Sequence, residues 1–188
     1  MANIITITGD LGSGKSTVAH LLQERLHYNY INTGKILREI ALKHNMTTLA
    51  LNKYAETHPE IDEEIDATFK SLSESSNLII DSRLAWFFLP QSFKVYLKTE
   101  LAVAIRRISG DRLRINESYA SVEEAATQIS ERKQSENKRY MELYGANCDD
   151  LSQFNVIIDT TTITPVQVAE IIITEYTKLS FLSLYDPL

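Results

Sequence analysis

The stretch "GDLGSGKST", from Gly9 to Thr17, holds three of the chain's six glycines. It follows a short β-branched run, "NIITIT" (Asn3 to Thr8), and precedes a helical pattern carried by Val18, Ala19, Leu21, Leu22 and Leu26. The glycines therefore lie on a strand-to-helix turn, and Gly9, Gly14, Lys15 and Ser16 satisfy the spacing G-x-x-x-x-G-K-[ST]. Such a turn aims successive backbone N–H groups inward at an anion, a conformation that Cβ atoms obstruct. The following helix adds the positive end of its dipole. Gly9, Gly12 and Gly14 are thus expected to hold the phosphates of a nucleoside triphosphate, with Lys15 reaching the β- and γ-phosphates and Ser16 taking a position on Mg²⁺.

The remainder of the chain alternates strands and helices. "YNYIN" (28–32), "NLIID" (77–81), "SFKVYLK" (92–98) and "NVIIDT" (155–160) read as four further strands. Between the second and third lie about 40 residues of helical pattern: "TGKILREIALKH", a helix capped by Thr47 or Thr48, and one opened by Pro59 with Ile61, Ile65, Phe69 and Leu72 in register. "ELAVAIRRI" reads as a helix and "SGDRLRINESYA" as a polar loop. Ser121 with Glu124 makes a capping box for a long helix to about Tyr144, and Pro165 opens a C-terminal helix. This alternation predicts an α/β fold with a parallel sheet covered by helices on both faces.

Composition limits the partners. A net charge of −6 without a basic tail argues against a nucleic-acid polymer. No apolar run approaches the roughly 18 residues that span a bilayer, and "MANIITITG" lacks signal-peptide features, so no membrane partner and a cytoplasmic location are expected. The single cysteine, Cys148, excludes an internal disulfide and reads as a small buried hydrophobe. The four histidines show no metal-ligand spacing. "NKYA" (52–55) lacks the aspartate of a GTPase base-reading motif.

Phosphoryl transfer requires two substrates in line and positive charge around the transferring group. The arginines are placed for this: Arg38 after the "NTG" turn, Arg83 after a strand end, Arg106 and Arg107 ending a helix, Arg112 and Arg114 in the polar loop, and Arg132 and Arg139 seven apart on one helical face. Arg132 and Arg139 also stand at ion-pair spacing from Glu136, as helix-surface pairs would. Asp81 ends a strand, where ligands bind in open α/β sheets, and can either orient Mg²⁺ or act as a general base. A phosphate monoester is already ionised near neutral pH and needs arginines rather than a base. The number of arginines therefore favours a nucleoside monophosphate as acceptor. Trp86, Tyr140 and Tyr144 fit either a core or a base-stacking role, and Asp149 and Asp150 can cap the turn before the last strand.

Taken in order, "ITGDLGSGKSTVA", "NTGKILREIA", "HPEIDEEID", "DSRLAW", "ERKQSENKRYMELYG" and "DDLSQFNVIIDT" resemble the cytidylate kinases of archaeal type and their bacterial relatives, from about Asn3 to Thr174. The resemblance implies a P-loop nucleoside-monophosphate-kinase fold with a five-stranded parallel core (1–32, 76–108 and 145–178), an acceptor-binding helical insertion (about 33–75) and a lid (about 109–140), in one domain. It implies ATP as donor, its phosphates held by the turn residues Gly12, Ser13, Gly14, Lys15, Ser16 and Thr17, with Mg²⁺ as cofactor and CMP or dCMP as acceptor. It further implies acceptor contacts from Thr33, Gly34, Arg38, Asp81, Arg83 and Arg139; catalytic roles for Lys15, Asp81, Arg107, Arg112 and Arg132; and metal contacts from Ser16 and Asp81. A monomer working on small-molecule nucleotides is expected. The alternatives are a P-loop kinase for another small acceptor and a nucleotide-binding regulator without transfer activity. Departures from the family pattern are Asn32 in place of serine, Ser82 in place of glycine, and Asp10 and Leu11 in place of prolines in the phosphate turn.

Overall fold

The computed structural model describes residues 3–63, 76–110 and 121–185, with side chains to 179. Five strands form one parallel sheet: β1 (Ile4–Gly9), β2 (Asn29–Asn32), β3 (Leu78–Asp81), β4 (Phe93–Lys98) and β5 (Val156–Asp159), in the order β2-β3-β1-β4-β5. All five sequence expectations fall within a residue of these bounds at each end. β1 is central and every one of its residues is buried, as a strand covered on both faces should be.

Alternation along β1 divides the core. Ile5 and Ile7 face one way, into a cluster with Val18, Ala19 and Leu22 of α1 (Lys15–Leu26) and Val168, Ala169 and Ile172 of the C-terminal helix. Ile4 faces the other way, with Leu78, Ile80, Ala85 and Leu89. The hydroxyls on that second face are satisfied locally: Thr6 Oγ1 lies 3.0 Å from Ser92 Oγ, and Thr8 Oγ1 donates to the Ser82 carbonyl at 2.8 Å.

After β2 come α2 (Thr33–Lys43) and α3 (Thr48–Ala55), joined by a cluster of Leu37, Ile40, Ala41, Leu51, Ala55 and Ile61. Thr47 caps α3 through its hydroxyl on Ala50 N. Residues 60–63 are helical; the rest of the helix expected after Pro59, including Ile65, Phe69 and Leu72, lies outside the described residues. A short helix α4 (Ala85–Phe88), which carries no periodic signal of its own, follows β3. Helix α5 (Leu101–Ser109) follows β4, and α6 (Val122–Tyr144) begins with Ser121 Oγ accepting from Glu124 N at 3.1 Å. A 3₁₀ turn at Leu151–Gln153, capped by Asp150 through Ser152 N, precedes β5, and α7 (Pro165–Tyr185) closes the fold.

Candidate active site

The carboxyl ends of β1, β2 and β3 meet in one place because the three strands are adjacent and parallel. β1 delivers the phosphate turn. Gly12 has φ +78°, and a Cβ there would stand 2.8 Å from the Ala104 backbone; Gly14 has φ +87° with nothing within 4 Å of its missing Cβ. The first position permits close approach to α5, and the second opens space at the head of α1. Asp10 fastens the turn through its side chain. Its carboxylate accepts from Tyr96 OH at 3.1 Å and Thr99 N at 3.1 Å, and Lys133 Nζ lies 3.6 Å away. Leu11 packs against Ile105, Ile108, Ala125 and Ile129, which ties the turn to α5 and α6.

Two concavities flank the turn. The first, a cleft of about 700 Å³, runs along Gly12 to Val18 and is completed by Glu24, Arg107, Thr160 and Pro165. That volume is suited to a nucleotide-sized ligand. Arg107 is fixed in its wall by four acceptors: Gly12 O at 3.3 Å, Thr99 Oγ1 at 3.4 Å, Thr160 O at 2.7 Å and Thr160 Oγ1 at 3.2 Å. The second, a narrower pocket of about 90 Å³, gathers Asn32, Thr33, Gly34, Arg38, Asp81, Arg83, Arg132 and Glu136 from three separate parts of the chain. Lys15 and Ser16 line both.

Lys15 Nζ rests on two backbone carbonyls, Gly9 O at 2.9 Å and Asp10 O at 2.7 Å. The Ser16 hydroxyl donates to Asp81 Oδ2 at 2.8 Å. Asp81 Oδ2 also receives Tyr30 OH at 3.3 Å and Asn32 Nδ2 at 3.3 Å. Burial first, and then the charge of Asp81, push the Tyr30 phenol up to about 12, so it remains a donor at neutral pH.

The arginine cluster is built around a carboxylate. Glu136 is 2% exposed, with Oε1 2.9 Å from Arg132 Nε and Oε2 3.0 Å from Arg83 Nε. The second contact is a close ion pair off the hydrogen-bond line, since Oε2 accepts no hydrogen bond. Burial opposes the charge on Glu136, but Arg83, Arg132 and Arg139 outweigh it and hold the carboxyl below its ordinary range. Arg83 is anchored further by Nη1 on Gly9 O at 3.2 Å, and its own carbonyl accepts the Trp86 indole N–H at 3.0 Å. The spacing of Arg132, Glu136 and Arg139 thus marks a buried network rather than exposed helix-surface pairs: all three are less than 9% exposed because α6 lies against α3.

Arg139 does not line the pocket. Its Nε lies 2.9 Å from Asp62 Oδ2, and its Nη1 and Nη2 donate to Asn52 O at 3.0 Å and Asn52 Oδ1 at 3.2 Å; Asp62 is the group that reaches the wall. Gly9 also lies outside both concavities and serves through its carbonyl. Arg112 and Arg114 fall outside the described residues. Of the aromatic residues, Trp86 is buried with Tyr96 and Phe154, Tyr144 packs on Phe88, and Tyr140 contributes to the pocket wall. Burial pushes the Cys148 thiol up to about 11, which fits an inert, half-buried side chain. Glu136, Asp62 and Tyr30 are site residues that sequence reasoning did not select.

A parallel sheet in the order 2-3-1-4-5, with a phosphate turn after its central strand and a second, arginine-lined pocket beside it, defines a small P-loop kinase fold. Solved structures with this fold include an uncharacterized protein from Eubacterium ventriosum (TM-score 0.68, 14% identity, 93% of this chain and 98% of that one) and shikimate kinase from Bacteroides thetaiotaomicron (TM-score 0.62, 17% identity, 97% and 98%). The chain belongs to the cytidylate kinase-like family, whose sequence pattern matches residues 4–162. Curated relatives include the cytidylate kinases of Thermoplasma volcanium, 36% identical over 97% of this chain and 96% of that protein, and of Sulfurisphaera tokodaii, 38% identical over 90% and 92%. Among the described residues no helix is long and apolar enough to cross a membrane.

Proposed function

We propose that this protein transfers the γ-phosphoryl group of ATP to CMP or dCMP, giving CDP or dCDP. The observation that carries the reading is that Lys15 and Ser16 line both concavities, which makes the phosphate turn the shared wall between a donor cleft and an acceptor pocket. A γ-phosphate cradled there faces an acceptor oxygen presented from the arginine side, as in-line transfer demands. The names of the curated relatives supply the acceptor.

In this reading the backbone N–H groups from Gly12 to Thr17 hold the donor phosphates, and Lys15 exchanges the Gly9 and Asp10 carbonyls for phosphate oxygens. Arg107 forms the outer wall of the donor cleft. Arg38 and Arg83 hold the acceptor phosphate, Thr33 and Gly34 border it, and Arg132 serves the transferring group, a role the resemblance also gives to Arg112, which lies outside the described residues. Arg139 acts on the acceptor side through Asp62. Ser16 and Asp81 present two hard oxygens 2.8 Å apart, a donor set suited to Mg²⁺, which takes one or two protein ligands and fills its shell with phosphates and water. Bound there, it would neutralise charge on the β- and γ-phosphates. Asp81 serves as a ligand rather than a base, because an ionised phosphate acceptor has no proton to give up at neutral pH.

The division into core, acceptor-binding insertion and lid belongs to the same proposal, as does a cytoplasmic monomer. At about 90 Å³ the acceptor pocket is smaller than a nucleotide, so acceptor entry calls for outward movement of its walls.

The test is ADP production from ATP and Mg²⁺ with CMP, dCMP, UMP, AMP, GMP or no acceptor, using Lys15→Ala as control. Turnover confined to the cytosine nucleotides is expected. Turnover with another acceptor, or none with ATP still bound, would overturn the assignment.

A further inference from the structure

Asn32 joins two parts of the site. Its Oδ1 accepts from Lys35 N at 2.9 Å, which makes it the N-cap of α2, the helix that carries Arg38. With the oxygen committed to a backbone N–H, the amide orientation is fixed, and the NH₂ group must face the other way. There it meets Ser16 Oγ at 3.1 Å and Tyr30 OH at 2.8 Å, with Asp81 Oδ2 further off at 3.3 Å.

The donors and acceptors close without a conflict. The two amide protons go to the hydroxyl oxygens of Ser16 and Tyr30, and each hydroxyl sends its own proton to Asp81 Oδ2. A serine hydroxyl has one proton and two lone pairs. At Ser16 the proton is spent on Asp81 and one lone pair receives Asn32, so the second lone pair has a set direction.

We propose that Asn32 is a positioning residue that aims the Ser16 hydroxyl and the Asp81 carboxylate at a divalent cation, and that it couples this pair to the acceptor helix α2. The inference rests on the reading of Ser16 and Asp81 as metal-holding groups. Asn32 itself need not touch the metal; removing an outer hydrogen-bond partner of a metal site lowers affinity by roughly 10- to 100-fold.

The test is the affinity of Mn²⁺ for the enzyme·ADP complex, read by electron paramagnetic resonance, in wild type, Asn32→Ser and Ser16→Ala. Serine is as good an N-cap as asparagine, so Asn32→Ser keeps the start of α2 and deletes the amide donor. Mn²⁺ binding roughly tenfold weaker than wild type is expected, with ADP affinity in EDTA and the melting temperature unchanged. If Ser16→Ala weakens Mn²⁺ binding while Asn32→Ser binds it as wild type does, the role of Asn32 is overturned and the metal site stands. If neither variant weakens it, the metal reading falls and takes this inference with it. Equal losses of metal-free and metal-bound ADP affinity in Asn32→Ser would also overturn the proposal, since a general distortion of the turn would then be the cause.

Discussion

Arg83 Nε lies 3.0 Å from Glu136 Oε2 in the wall of the acceptor pocket, and the carboxylate is 2% exposed. The guanidinium proposed to hold the acceptor phosphate is thus already held by a carboxylate of this chain. The arrangement keeps Arg83 and Arg132 from repelling each other and fixes their positions before any acceptor arrives.

Glu136→Gln keeps the shape and removes the charge. The buried arginines then lose their counter-ion, and a loss of about 3 kcal/mol of stability at neutral pH is expected from denaturant unfolding. The pH dependence gives a sharper signature. The native carboxyl is held below its ordinary value of 4.5, so between the native and unfolded values the unfolded chain binds more protons. The charged form's contribution is complete above about 4.5 and is lost as pH falls through the native value. Stability of the wild type should therefore drop on acidification in that window, and the drop should be shallower in Glu136→Gln.

Arg83→Ala separates acceptor from donor. Arg83 lines the acceptor pocket and not the donor cleft. The acceptor KM should rise at least roughly tenfold, in line with loss of a charge-assisted contact, while ATP affinity measured by titration calorimetry stays near the wild-type value. An equal loss of ATP affinity would place the guanidinium on the donor.

How much of this was legible depended on whether a signal was local. β1, the phosphate turn and α1 are consecutive, so Gly9 to Leu26 could be read directly, and the helix bounds Lys15–Leu26 follow from its apolar spacing. The capped starts at Thr47 and Ser121 were legible for the same reason. The roles of Glu136 and Arg139 were not. Their spacing on α6 is the same for a solvated face and a buried one, and only the approach of α3 and Asp62 from the insertion decides which it is. Tyr30 was hidden differently. It is a strand residue whose phenol meets Asp81 because β2 and β3 lie side by side, with Asn32 opposite Asp81, a pairing between distant segments.

Lys15→Ala should leave the fold intact and remove transfer. The Lys15 ammonium is held by the Gly9 and Asp10 carbonyls, which the Ala104 to Arg107 side of the turn does not depend on. Loss of one preorganised positive group at a transferring phosphoryl lowers kcat by roughly a hundredfold or more. Circular dichroism and melting should match wild type while ADP production falls; retained turnover would remove the turn from the chemistry.

Gly12→Ala attacks the same turn through its backbone. Residue 12 has φ +78°, and a Cβ would approach the Ala104 Cα and carbonyl oxygen to 2.8 Å, both main-chain atoms that no rotamer change can move. Relief requires α5 to shift, and with it Arg107, whose Nη1 donates to Gly12 O. The left-handed conformation adds strain of about 1–3 kcal/mol. The expected result is a lower melting temperature together with weaker ATP binding, because the displaced helix carries a wall of the donor cleft. The other pocket, whose Arg38, Arg83 and Arg132 come from α2, the turn after β3 and α6, should be disturbed less. Nucleotide titrations on the variant check this: a loss in acceptor affinity as large as that in ATP affinity would show that the two sites do not separate at the turn.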